Sequence, residues 1–157
     1  MQPALRAPRA DDYPLLCSWI PDAAACLRWA GPQLAWPFDP DQLAERLHQP
    51  RGASCVLADA GGHMLGFGQY WVWEPGAVHL GRLLIDPARR GQGLGRSLLT
   101  HLMPAAVQAT GAASITLRVY RNNTPALALY QALGFREEAA HSSADVAFMR
   151  RNARAIE

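Results

Sequence analysis

Ile115, Leu117 and Val119 alternate with Thr116 and Arg118 across residues 114–119, and this two-residue period predicts a half-buried strand. A different period follows residue 93, where Leu94, Leu98, Leu99, Leu102 and Met103 recur at helical spacing. A helix is expected there as far as about Thr110, with Pro104 removing a hydrogen bond to Thr100 and bending it. Just upstream, the apolar run Leu83-Leu84-Ile85 is short and stops at Asp86-Pro87, which suits the end of a buried strand over residues 78–85. Residues 54–58 and 63–73 read as two more strands joined by a Gly61-Gly62 turn, and Glu74-Pro75-Gly76 turns the second into 78–85. Gly66 and Gly68 inside that second strand point to a bulge or a close backbone approach.

The flanking segments complete the outline. Residues 5–8 read as a first strand, and Asp11 or Asp12 as the cap of a helix carrying Tyr13, Leu15, Leu16 and Trp19 before Pro21. From 21 to 50 the pattern is broken: a helix over 22–29 stopped by Gly31-Pro32, a loop with Trp36 and Phe38, and a helix over 41–48. Asp39 is that last helix's cap, with Pro40 in the first turn. Toward the other end, Asn123 or Thr124 caps a helix with Pro125 at its start and Gly134 past its end. Residues 135–138 and 146–150 are the final strands, followed by a polar tail over 151–157. No repeat or linker divides the chain, so one domain over 1–157 is expected, with about six to seven strands and interspersed helices.

Composition narrows the classes. The chain has 157 residues, long enough for a core that needs no staples, and half of them are hydrophobic (50%). A net charge of +2 without any arginine-rich run gives no footprint for nucleic acid. The basic side chains are all arginine; there is no lysine. Cys17, Cys26 and Cys55 form no paired framework and read as reduced, buried thiols. No apolar signal core opens the chain and no run approaches a membrane span, so a soluble cytoplasmic protein is expected.

Candidate chemistry lies at residues 83–99, a strand, a glycine-rich turn and a helix. Glycines let a ligand approach the main chain, and the first turn of a helix offers unpaired N–H donors to an anion. Arg89, Arg90 and Arg96 add positive charge, so a phosphate or pyrophosphate is the expected ligand. Gly95 is followed by Arg96-Ser97 rather than Lys-Ser or Lys-Thr, which removes the nucleoside-triphosphate loop. Arg96 stands where a dinucleotide fingerprint needs glycine or alanine, which removes that one. A tight turn capping a core helix is the plain alternative.

What remains, an arginine, two residues, Gly93, one residue and Gly95, resembles the acyl-CoA pyrophosphate loop of the GNAT-type N-acetyltransferase superfamily. A second block, Asn123, Ala126, Leu129-Tyr130 and Leu133-Gly134-Phe135, resembles that family's other signature, in the family's order. Together they cover about a third of the chain. The resemblance implies an α/β fold with a mixed, mostly antiparallel sheet and helices on both faces. It implies that the backbone of Leu83, Leu84 and Ile85 pairs with the pantetheine arm of acetyl-CoA. The segment Arg89, Arg90, Gly91, Gln92, Gly93, Leu94, Gly95 and Arg96 would hold the pyrophosphate. Asn123 would touch the cofactor arm, and the Tyr130 hydroxyl would lie near the thioester sulfur, where it can give a proton to the leaving thiolate.

Members of the family often keep a carboxylate base on the fourth strand. Counting back from Ile85 gives His79, which titrates near neutrality; Glu74 is the second choice, and a strand histidine facing solvent is the competing reading. Trp36, Trp71 and Trp73 are candidate acceptor-pocket residues, whereas Trp19 and Trp29 read as layer packing. The function implied is acetyl transfer from acetyl-CoA to a primary amine on a small molecule or peptide, with no metal. The alternative is a catalytically silent acyl-CoA-binding sensor or partner-binding module. Dimers are common in the family, which makes a homodimer the assembly to test.

Overall fold

The computed structural model describes residues 2–155. Its strands are β1 (Ala4–Arg6), β2 (Gly52–Ala58), β3 (Met64–Glu74), β4 (Ala77–Ile85), β5 (Ser114–Tyr120), β6 (Arg136–Glu137) and β7 (Val146–Asn152). Its α-helices are α1 (Asp12–Ser18), α2 (Ala23–Ala30), α3 (Pro40–Arg46), α4 (Leu94–Thr110) and α5 (Thr124–Ala132). The expected mixed sheet is there, in the order β1-β2-β3-β4-β5-β7-β6. Every neighbouring pair is antiparallel except β4 and β5.

That exception positions the site. Parallel strands need a crossover, and the glycine turn with α4 supplies it. The two strands pair only from Ala77↔Ser114 to Leu80↔Leu117. Beyond Leu80, β4 stays on β3, with Phe67↔Leu84 and Gly66↔Ile85, and leaves β5 behind. The register slips between Phe67 and Gln69, and Arg82 takes φ +52, rare for a residue with a side chain. An extra residue in one strand bends it and sharpens its twist, and here the bend turns β4 away from β5.

Helices cover both faces. On one, α4 and the partly buried side of α5 pack with Val78, Leu80, Leu102, Ile115, Leu117, Phe135 and Met149. On the other, α1 to α3 bury Leu16, Leu43, Leu47, Val56 and Phe67. Trp19 and Trp29 belong to this second core, and Trp29 meets Phe67 with ring centroids 6.2 Å apart. Gly68 is small because Leu83 and Leu102 methyls lie 2.8 and 3.1 Å from where its Cβ would stand.

Several local expectations shift. The first strand starts one residue earlier than expected and ends two earlier, and the cap expected from Asp11 or Asp12 is not made. Asp12 instead binds the Arg6 guanidinium and the Arg9 N–H, both at 2.7 Å. Asp22, Asp39 and Asn123 do cap α2, α3 and α5. β6 shrinks to two residues, and β7 runs on through Arg151 and Asn152, where a polar tail was expected, because those residues pair with Ile115 and Ser114. α4 continues through Pro104 to Gly111, whose φ of +69 ends it.

Candidate active site

From Gly81 to Ile85, β4 is paired on one side only. Alternate N–H and C=O groups of Leu83, Leu84 and Ile85 point to β3; the others face the gap that β5 has vacated. An open sheet edge of this kind accepts an added extended chain.

The edge leads into the glycine turn. Asp86 caps a short 3-10 turn at Ala88 N with 2.9 Å and pairs loosely with Arg89 at 3.6 Å. Gly91 and Gly93 both have φ +79, a torsion open to glycine at little cost, and no atom lies within 4 Å of either missing Cβ. The first backbone bond of α4 is Ser97 N–H to Gly93 O at 3.1 Å, so the N–H groups of Leu94, Gly95 and Arg96 are without helical partners. Arg90 and Arg96 are exposed and form no ion pair with a described carboxylate. Space, donors and positive charge therefore converge at the end of the open edge, and the residues present fit a pyrophosphate joined to an extended arm.

Beside the start of α4 stands α5, whose Leu129 lies 3.5 Å from where a Gly95 Cβ would be. Its Asn123 accepts Ala126 N–H at 3.4 Å, so this side chain acts as the helix cap while remaining exposed. Tyr130 packs edge-on to Phe135 at 6.1 Å, and its hydroxyl has no hydrogen-bond partner among the described residues. Burial disfavours the phenolate and pushes the Tyr130 pKa up to about 12, so the hydroxyl keeps its proton at any physiological pH.

His79 proves to be a poor base. It faces Thr116 across the parallel pair, with Nδ1 2.8 Å from Oγ1, and lies between the Trp71 ring at 5.1 Å and the Phe148 ring at 6.1 Å. Burial, helped by the positive charge of Arg118, lowers its pKa to about 3. It is therefore neutral at pH 7 and too weakly basic to take an amine proton; it is not a solvent-facing histidine either. Glu74 sits at the β3–β4 turn opposite Ala77, at the far end of β4 from the gap, and pairs with Arg150 at 3.1 Å.

The tryptophans divide. Trp73 packs edge-on against Phe148 and His141 at the level where β4 and β5 are still joined. Trp36 is 39% exposed in the α2–α3 loop, its indole N–H bonded to Ile20 O at 3.3 Å. Trp71 lies across Gly81, where an added Cβ would fall 2.3 Å from its ring, and so sits beside the bulge. Sequence reasoning passed over two neighbours. Gln69 is fully buried and gives its amide N–H groups to Leu47 O and Ser54 Oγ, which turns its Oε1 toward Arg82 Nη1 at 2.9 Å. A glycine followed by an arginine inside an apolar strand was the one local signal for that pair. Cys17, Cys26 and Cys55 are unpaired, and Cys26 gives its Sγ–H to Leu34 O in the second core. No three His, Cys, Asp or Glu side chains gather as a cation site among the described residues. No described helix is long and apolar enough to cross a membrane.

The mycothiol acetyltransferase of Clavibacter sepedonicus is 38% identical over 101 residues, covering 63% of this chain and 32% of that protein. The ribosomal protein bS18 alanine N-acetyltransferase of Escherichia coli is 44% identical over 55 residues, 35% of this chain and 36% of its own. The matches thus span about a third of these curated relatives. Among solved structures, the spermidine N-acetyltransferase of Vibrio cholerae, bound to CoA and spermine, superposes with a TM-score of 0.82 at 20% identity, over 99% of this chain and 98% of that one. At that identity the likeness is one of fold. The acetyltransferase (GNAT) family model matches residues 23–135, which includes the glycine turn and Tyr130, and the chain belongs to that family.

Proposed function

We propose that this chain transfers an acetyl group from acetyl-CoA to a primary amine of a small molecule or peptide. One observation carries the reading: the free edge of β4 beyond Leu80 runs directly into a turn whose glycines, helix N–H groups and arginines suit a pyrophosphate. Leu83, Leu84 and Ile85 would bind the pantetheine arm through their backbone, and residues 89–96 the pyrophosphate. When bound, acetyl-CoA supplies a thioester carbonyl open to attack by a neutral amine. A main-chain N–H near Leu84, beside the bulge, would donate to the carbonyl oxygen as charge develops.

Tyr130 then acts on the sulfur. An ordinary thiol has a pKa near 8.5, well below the value of about 12 held by Tyr130, so the phenol does not simply surrender its proton. It would donate from Oη to the departing thiolate while taking up the proton that the attacking nitrogen must shed, leaving an amide, a thiol and an unchanged tyrosine. His79 and Glu74 have no part in this scheme, and the amine loses its first proton to water before attack. The protein is proposed to work in the cytoplasm; light scattering tests for a homodimer.

The experiment is release of free CoA from acetyl-CoA over a panel of amines, with Tyr130→Phe beside the parent. Turnover by the parent that falls by about 10²-fold in Tyr130→Phe, with acetyl-CoA affinity retained, supports the reading. A second reading, an acyl-CoA-binding module without turnover, has one point in its favour: neither acid-base candidate on β3 or β4 is placed to deprotonate an amine. Tight acetyl-CoA binding with no CoA released from any amine would select it.

A further inference from the structure

Resting on that reading, we infer that the acceptor is a small primary amine that also carries a carboxylate, and that Arg82, assisted by Arg118, recognises it. Arg82 is the bulge residue itself, directly before Leu83 on the open edge. Its guanidinium is held from two sides: Nη1 donates to Gln69 Oε1 at 2.9 Å, and Cζ lies 5.6 Å from the centre of the Trp71 ring. The Gln69 amide is itself fixed by Leu47 O and Ser54 Oγ, so the fork has a set orientation. Its Nε is buried and has no hydrogen-bond partner. No described carboxylate pairs with it.

A half-buried guanidinium whose Nε is buried and unsatisfied is costly, and proteins normally pair such a group. Arg6, Arg121 and Arg150 in this chain are each matched by a carboxylate at 2.7 Å. Arg82 is held in place by neutral groups instead, which orient it without discharging it. Arg118 is the first residue of β5 beyond the last parallel pair, exposed and without an ion pair, with Cζ 5.1 Å from the centre of the Phe148 ring. Trp71, His79 and Phe148 form a continuous row of rings, with Arg82 over the first and Arg118 over the last; Arg150, also over Phe148 at 5.9 Å, is already paired with Glu74 and Glu138. His79 is neutral, and the positive charges that Arg82 and Arg118 bring to this row have no described carboxylate partner. A carboxylate accepts two parallel bonds from a guanidinium fork, whereas a polycationic amine is repelled here.

Matched acceptors test this: phenylalanine, phenylalaninamide and phenethylamine as one set, and short peptides differing only by Glu or Gln at the second position as another, with putrescine as the dication. In the parent, kcat/KM for the carboxylate member should exceed that of its neutral partner by at least about tenfold, the scale of one charge-assisted bidentate contact. Preference within the first set alone assigns a free amino acid, and within the second an acidic peptide. Arg82→Gln should bring the ratio near one, and Arg118→Gln should lower it in part. If Arg82→Gln does not fold, Arg82→Lys keeps the charge, loses the fork and should still reduce the ratio severalfold. A ratio of one or less in the parent, or a ratio unchanged in a folded Arg82 variant, overturns the inference while leaving acetyl transfer standing. If no amine releases CoA, acetyl transfer fails on its own. The recognition is then read by calorimetry on CoA-saturated protein, where N-acetylphenylalanine must bind more tightly than its amide or the inference falls.

Discussion

Acidification from pH 7 to pH 5 should cost the protein about 2 kcal/mol through His79 alone. The imidazole ordinarily titrates at 6.5 and is lowered to about 3 in the fold, because Trp71, Phe148 and Thr116 exclude water and Arg118 opposes a second positive charge. Between those two values the unfolded chain binds a proton at this site and the folded chain does not. Stability from this group is therefore complete above the unfolded pKa and is lost as pH falls toward the folded one. At pH 5 the unfolded imidazole is about 97% protonated, which favours unfolding by a factor of about 30, or about 2 kcal/mol. Urea denaturation of the parent and of His79→Gln, at both pH values, isolates this contribution. Glutamine retains a polar contact for Thr116 and does not titrate, and contributions from Asp12, Glu137 and Glu138 cancel in the difference. The parent should lose about 2 kcal/mol more than the variant between the two pH values. Parallel losses would mean that His79 is protonated in the folded state, and with it would go the argument that removes His79 as a base.

The same argument predicts a kinetic result: kcat/KM should rise with the ionisation of the acceptor amine, and His79→Gln should leave the shape of that pH profile unchanged. Gly93→Val should abolish acetyl-CoA binding in calorimetry, because a branched side chain is strained at φ +79 and fills the open space above the turn; unchanged affinity in folded protein would refute the loop assignment. Gly81→Ala places a methyl 2.3 Å from the Trp71 ring and should destabilise the fold by about 1–3 kcal/mol in urea. It should also weaken discrimination between charged and neutral acceptors, since the displaced ring no longer seats Arg82.

The glycine turn and the Tyr130 helix were legible in the sequence because the physics that places them is local. Gly91 and Gly93 answer a torsion, Asn123 and Pro125 begin a helix, and Gly134 (φ +91) ends it, all within a few residues. Strand and helix periods likewise gave the sheet and its layers, with small errors at Asp12, where Arg6 on the preceding strand prevailed over the helix cap, and at Arg151, where the distant Ile115 prevailed over the local pattern. Tertiary structure alone decided the surroundings of His79 and Arg82. His79 reads as a physiological base until Thr116 and Phe148 close over it from strands far away in sequence, because desolvation is a property of everything packed around a group. Trp71 and Trp73, two residues apart on one face of one strand, differ in what their rings reach: Trp71 lies over Gly81 beside the bulge, and Trp73 packs on Phe148 and His141. Arg82 is one unremarked arginine in an apolar strand, and only the bulge that turns it onto Gln69 and Trp71, away from any carboxylate, leaves its charge available.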